Sequence, residues 1–177
     1  MLSKIVFSFI ILLSWSQAGN WKADPSKASI KFKVEGIFGM VNGHFSGLKS
    51  TIHFDENDLA GSSFTASIDP KTVSTGISLR NADLRNKEVW FNTDKYPLIS
   101  FKSKQIQKTS GGYKVSGELT IKATTKPVKI SFRFSTNGNT GLFKGEFVIK
   151  RMDYDLGNEG GSVGSEVTII LEVPVEK

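Results

Sequence analysis

In SIKFKV, residues 29–34, the side chains change character at every step. Ile30, Phe32 and Val34 share one side of an extended chain, and Lys31 and Lys33 take the other. A period of two marks a β-strand with one face in a core and one in water. The period returns in STIHF, SFTASI, LISFKS, YKVSGELTIK, VKISFRF, GEFVIK and VTIILEVPV, giving about eight strands. Turn-forming residues separate them: DENDLAG (55–61), SGG (110–112), ATTKP (123–127), NGN (137–139) and GNEGGSVG (157–164). Short connections between neighbours imply antiparallel pairing. Strands with one apolar face need a common interior, either between two sheets or inside one closed sheet. Periodicity admits both. With no internal repeat, low-complexity tract or linker, the expected class is all-β and single-domain.

The N-terminus follows a different rule. MLSK is basic, IVFSFIILL is apolar but too short to span a bilayer, and SQA places small residues before a cleavage point. Residues 1–18 are therefore expected to be a secretory signal peptide cut after Ala18, with residues 19–177 as the exported domain. The expected location is periplasmic or secreted. The 177-residue sequence has no cysteine, which rules out disulfides, thiolate catalysis, Cys-bound metals and a lipoprotein anchor. Its formal charge is +6, but the lysines are spread over many strands. That distribution fits a solvated outer surface that discourages edge-to-edge association. Without a basic run, nucleic acid is not an expected partner.

One stretch breaks the strand period: TGISLRNADLRNKEVWFNTDKYPLISF, residues 75–101. LRNADLRNKEVW contains helix-prone residues, and Ser78 is a candidate cap, so one or two short helices are expected near residues 78–91. Pro97 then returns the chain to extended geometry. Leu79, Leu84, Val89, Trp90 and Phe91 are the apolar members. In a protein with one apolar interior, such an insert fits best across the open end of a barrel.

Five segments, in order, resemble one family. They are DPSKASIKFKV; NGHFSGLKSTIHFD; STGISLRNADLRNKEVWFNTDKYPLISFKS; GELTIKATTKPVKI; and IKRMDYDLG with VGSEVTIILEV. Together they resemble the YceI-like family of bacterial lipid- and polyisoprenoid-binding proteins. The resemblance implies a lipocalin-like antiparallel β-barrel, with a long hydrophobic chain held in an elongated internal pore. The residues expected to line that pore are Phe32, Phe45, Phe101, Leu119, Ile130, Phe132 and Phe147, with Leu79, Leu84, Val89 and Phe91 from the insert. Arg80 is the candidate head-group contact. Where the family pattern carries histidines, this chain has Lys27, Gly36, Asn81 and Asp83, so a histidine-based head-group site is not carried over. The implied function is an exported binding protein for a polyisoprenoid or other long-chain lipid, in transport, storage or sequestration. The alternative is a ligand-free structural or interaction barrel in a surface or stress-response assembly. Transient membrane contact and dimerisation both stay open.

No catalytic constellation stands out. GGSVG matches the G-x-S-x-G pattern, but Ser162 lies in a glycine-rich loop before a strand, and no histidine follows it. His44 and His53 are nine apart and would face opposite sides of one regular strand, without a third ligand for a metal. Arg151 and Asp153 suggest an ion pair across one strand face or stabilisation of a turn, and Arg80 and Asp83 a pair within the helix. No enzyme, metal or cofactor is expected.

Overall fold

The computed structural model describes residues 19–177, so the expected signal peptide lies outside the described residues. Ten strands and one helix follow in chain order. They are β1 (Asn20–Ala23), β2 (Ser29–Gly36), β3 (Gly39–Phe45), β4 (Lys49–His53), β5 (Ser63–Ile68), α1 (Ser78–Asn86), β6 (Ile99–Thr109), β7 (Gly112–Ile121), β8 (Thr124–Asn137), β9 (Thr140–Lys150) and β10 (Val163–Glu176). The sheet order is β1-β4-β5-β6-β7-β8-β9-β10-β2-β3, and a further β1–β10 pairing closes eight of these strands into a ring. Every pairing is antiparallel. The choice between sandwich and barrel falls to the barrel. The β2–β3 hairpin extends from β10 at one end, beside the edge that β1 completes at the other.

All eight segments with the two-residue period form strands; β1 and β3 are additional. The expected turn ATTKP is mostly strand: β8 starts at Thr124, and Pro127 pairs with Glu118. β9 does not join β8 until Ser131, so the proline occupies a length of strand with one free edge, where its missing N–H is tolerated.

The inward faces divide the barrel into two halves. At the end where β7 begins and β10 finishes, aromatic rings fill it. Phe54 meets Tyr113, Phe132, Phe134 and Phe143 edge-on, with ring centroids 5.1 to 5.6 Å apart. Trp21 donates its indole N–H to the Phe54 carbonyl at 3.0 Å, and the Tyr113 hydroxyl donates to the Glu56 carboxylate. Burying Phe54 contributes up to about 3 kcal/mol, and Phe54→Ala would cost about 3–5 kcal/mol, opening the end of the barrel. At the opposite end the insert of residues 69–98 and the β9–β10 connection lie over a second apolar cluster of Leu119, Ile121, Ile149, Tyr154 and Leu156.

The insert holds one α-helix, ending at Asn86, after a short 3-10 turn at Pro70–Thr72. Ser78 is its first residue rather than its cap: Ile77 takes the cap position, with no side-chain bond. The chain is held there by Asn81 instead, whose Oδ1 accepts from the Thr75 amide at 2.8 Å and the Thr75 hydroxyl at 2.7 Å. Beyond Asn86 the backbone turns twice, with Phe91 N–H donating to Leu84 O and Thr93 N–H to Arg85 O. These bonds return the chain along the helix.

Two expected ion pairs form differently. Asp83 pairs with Lys87 at 2.7 Å, one turn on, while Arg80 Nε donates to Thr75 Oγ1 at 3.0 Å. Arg151 does not meet Asp153; it stabilises the turn instead, donating to the Leu156 and Asn158 carbonyls of the β9–β10 connection and to Val163 and Gly164 at the start of β10.

Candidate functional site

Between the aromatic plug and the insert lies a cavity of about 600 Å³. Strand alternation makes its wall apolar. Phe32, Val34, Ile52, Phe64, Ala66, Phe101, Leu119, Ile130, Phe147 and Ile169 all occupy inward positions. Phe132 and Phe143 form its floor, since Trp21, Phe54, Tyr113 and Phe134 lie beyond the wall. The cavity is therefore a blind pocket; the elongated pore that the resemblance implied is stopped by the plug.

Glycines admit the rings. Phe32 pairs with Gly43 and Ser103 with Gly117, and the Phe32 and Phe101 rings occupy the space a Cβ at each glycine would take.

Polar groups reach the wall at few places. Ser50 Oγ is buried there without a hydrogen-bond partner among the described residues. Thr75, Arg80 and Asp83 gather at the start of α1. The Arg80 side chain is fixed through Nε on Thr75, and its terminal nitrogens make no hydrogen bond among the described residues. Arg151, 5% exposed, borders the wall beneath the β9–β10 connection. Its Nε donates to Gly164 O at 2.9 Å, Nη1 to Leu156 O at 2.6 Å, and Nη2 to Asn158 O at 3.2 Å and Val163 O at 2.8 Å. This guanidinium is spent on backbone carbonyls, leaving Arg80 as the guanidinium with donors to spare, beside Lys31 on the same wall.

Residues 21–175 match the model of the YceI-like domain.

The chain belongs to the YceI-like family.

A UPF0312 protein of Yersinia enterocolitica is 30% identical over 165 residues, covering 88% of this chain and 85% of the relative. One of Pectobacterium atrosepticum is 26% identical over 187 residues, covering 98% and 97%. Among solved structures, Burkholderia cenocepacia BcnA superposes with a TM-score of 0.81 at 27% identity, covering 86% of this chain and 99% of that one. A polyisoprenoid binding domain from Saccharophagus degradans gives 0.67 at 15% identity over 89% and 98%, a likeness of fold.

Within this YceI-like barrel the pocket wall includes Phe32, Phe45, Leu79, Leu84, Phe91, Phe101, Leu119, Ile130, Phe132 and Phe147, and Arg80 stands at its polar edge. Val89 is the exception. It is 39% exposed, and its carbonyl accepts the Gly157 N–H at 2.5 Å. Beyond the end of α1 at Asn86, Trp90 and Phe91 enter the wall and Val89 does not. Sequence reasoning also missed Val41, Ser50, Ala66 and Ile77 on the wall. Ala66 was readable from the alternation of SFTASI, whereas Ile77 is placed by the turn geometry of the insert.

His44 and His53 lie on two strands. His44 is exposed and bridges to Ser74, and His53 bonds Asn20 Oδ1 at 2.9 Å. Among the described residues no three His, Cys, Asp or Glu side chains gather as metal ligands. Ser162 precedes β10 in a loop, as a turn residue does.

Proposed function

We propose that this YceI-like domain is a non-enzymatic binding protein for the tail of an isoprenoid or comparable long-chain lipid. The observation that carries this reading is the apolar, blind pocket between the plug and the insert. A site built for polar substrates would show several convergent polar groups; here they cluster at one edge. A methylene takes roughly the 30 Å³ of a water molecule in the liquid. A cavity of about 600 Å³ therefore accommodates on the order of twenty carbons. Each buried methylene contributes about 0.8 kcal/mol before association costs. A tail of that length is held firmly, and its polar head remains at the edge, within reach of Arg80 and Thr75. The polyisoprenoid-binding neighbour from Saccharophagus degradans supports this ligand class. An N-terminal signal peptide would deliver the domain to the periplasm or outside the cell, where it serves transport, storage or sequestration.

The test is organic extraction of the purified protein followed by mass spectrometry, with uptake of isoprenoid alcohols of increasing length. A stoichiometric lipid, and affinity that rises up to about twenty carbons and then levels off, is expected. No bound lipid and no uptake at any length would leave the structural or interaction barrel as the better reading.

A further inference from the structure

Large apolar side chains stand in water at one place above all. Ile37, Phe38 and Met40 form the tip of the β2–β3 hairpin, and Ile77 and Leu79 lie at the start of α1; all five are exposed, Phe38 completely. Register puts the two groups together. His44 bridges antiparallel to Ser74, so stepping from His44 towards Met40 moves the partner chain from Ser74 towards Ile77. Gly36 pairs with Gly39, leaving Ile37 and Phe38 as a two-residue turn. Such turns are ordinarily filled by Asn, Asp or Gly. Nothing in the turn calls for a phenylalanine, and an apolar cluster held in solvent marks an interaction surface.

The patch is continuous with the pocket. Ile77 and Leu79 belong to both, and Val34 and Val41, one step behind the tip, line the cavity. On its flanks the charges are mainly basic. Lys31 and Lys33 project from β2, and Arg80 follows Leu79; Glu35 pairs opposite Met40, and Asp83 is already bound to Lys87. The whole chain carries +6. Apolar side chains among cations fit a lipid bilayer bearing anionic head groups.

We infer that the Ile37–Phe38 hairpin tip, with Ile77 and Leu79, is a bilayer-docking surface that seats the pocket mouth on the membrane. This rests on the lipid-pocket reading. Phe38 and Ile37 enter the interfacial layer, the lysines meet lipid phosphates, and a tail passes from acyl layer to pocket along Val34, Val41 and Leu79 without crossing water.

The sequence has no cysteine, so Phe38→Cys gives one labelling site for a polarity-sensitive dye. With vesicles of phosphatidylethanolamine and phosphatidylglycerol, a blue shift is expected at residue 38. None is expected from Ser110→Cys, in the β6–β7 turn at the opposite end. Replacing Ile37 and Phe38 by serine should lower vesicle flotation, and slow uptake of a fluorescent isoprenoid from vesicles, at least tenfold. Uptake of the same lipid from dilute detergent should be unchanged, because neither residue lines the pocket. Absent flotation of the unmodified protein, equal flotation of the double variant or a silent label would overturn the docking surface. So would a concentration-dependent dimer abolished by the two serines, which would make a second copy the occupant. Flotation without uptake from detergent would sink the pocket reading and leave the docking surface standing.

Discussion

The Phe32 ring lies over Gly43 of the adjacent strand, in the space where a Cβ would stand. Phe32 also lines the pocket, so the glycine sets how far the ring withdraws from it. Gly43→Ala is expected to cost about 1–3 kcal/mol through overpacking and to push the ring inward. Thermal unfolding and lipid titration together check this: a stable variant with undiminished uptake would contradict it.

Ala66 faces the pocket between Ser50 and Phe101 on neighbouring strands. Ala66→Phe would place a ring in the empty volume instead of in packed core. Uptake of a tail of about twenty carbons should fall at least tenfold, with the melting temperature near that of the parent. A large loss of stability instead would mean that the site is not hollow.

Arg80 is the pocket-edge guanidinium with unused donors. Arg80→Gln should weaken binding of an isoprenoid phosphate by about tenfold, corresponding to about 1.4 kcal/mol, and leave the neutral alcohol almost unaffected. Equal losses for both ligands would remove the guanidinium from head-group binding.

Arg151 ties two carbonyls of the β9–β10 connection and two at the start of β10 from a buried position. Arg151→Met orphans them, at about 3 kcal/mol or more given 1–3 kcal/mol for each buried unsatisfied group. Lysine cannot rescue it, because a point ammonium does not span the fork of acceptors. Hydrogen exchange at residues 155–164 should accelerate in both variants, and protection retained in the lysine variant would refute the fork.

Two buried phenols predict loss of stability in alkali. Burial, then the hydrogen bond to Glu56, pushes Tyr113 up to about 12; burial, then the Asp153 charge, does the same for Tyr154. A phenol raised in the folded state stabilises fully below the ordinary value of 10 and loses that contribution as pH climbs towards 12. Denaturant titrations from pH 9 to 12.5 should show the decline, and Tyr113→Phe should flatten it by one proton.

The barrel could be read from the chain because each long strand repeats its alternation enough times to declare a face. SIKFKV and VKISFRF announce the wall directly. β1 could not be seen, since NWKA has too few residues to establish a period. β3 was hidden because GMVNGHF places glycines at Gly39 and Gly43, where an apolar side chain would have continued the pattern. Closure is a long-range event, made by pairs such as Lys22 with Glu176 that no local window contains. The same limit explains Val89 and Arg151. The end of α1 depends on turn bonds beyond it, and the arginine's acceptors are carbonyls of a loop and the strand after it, whose path follows from folding.

The rings around Phe54 leave the barrel with one entrance. A lipid that entered tail first would have to come out head first, through the same doorway. Any donor and recipient would then take turns at that doorway, because a barrel closed at its far end offers no second one.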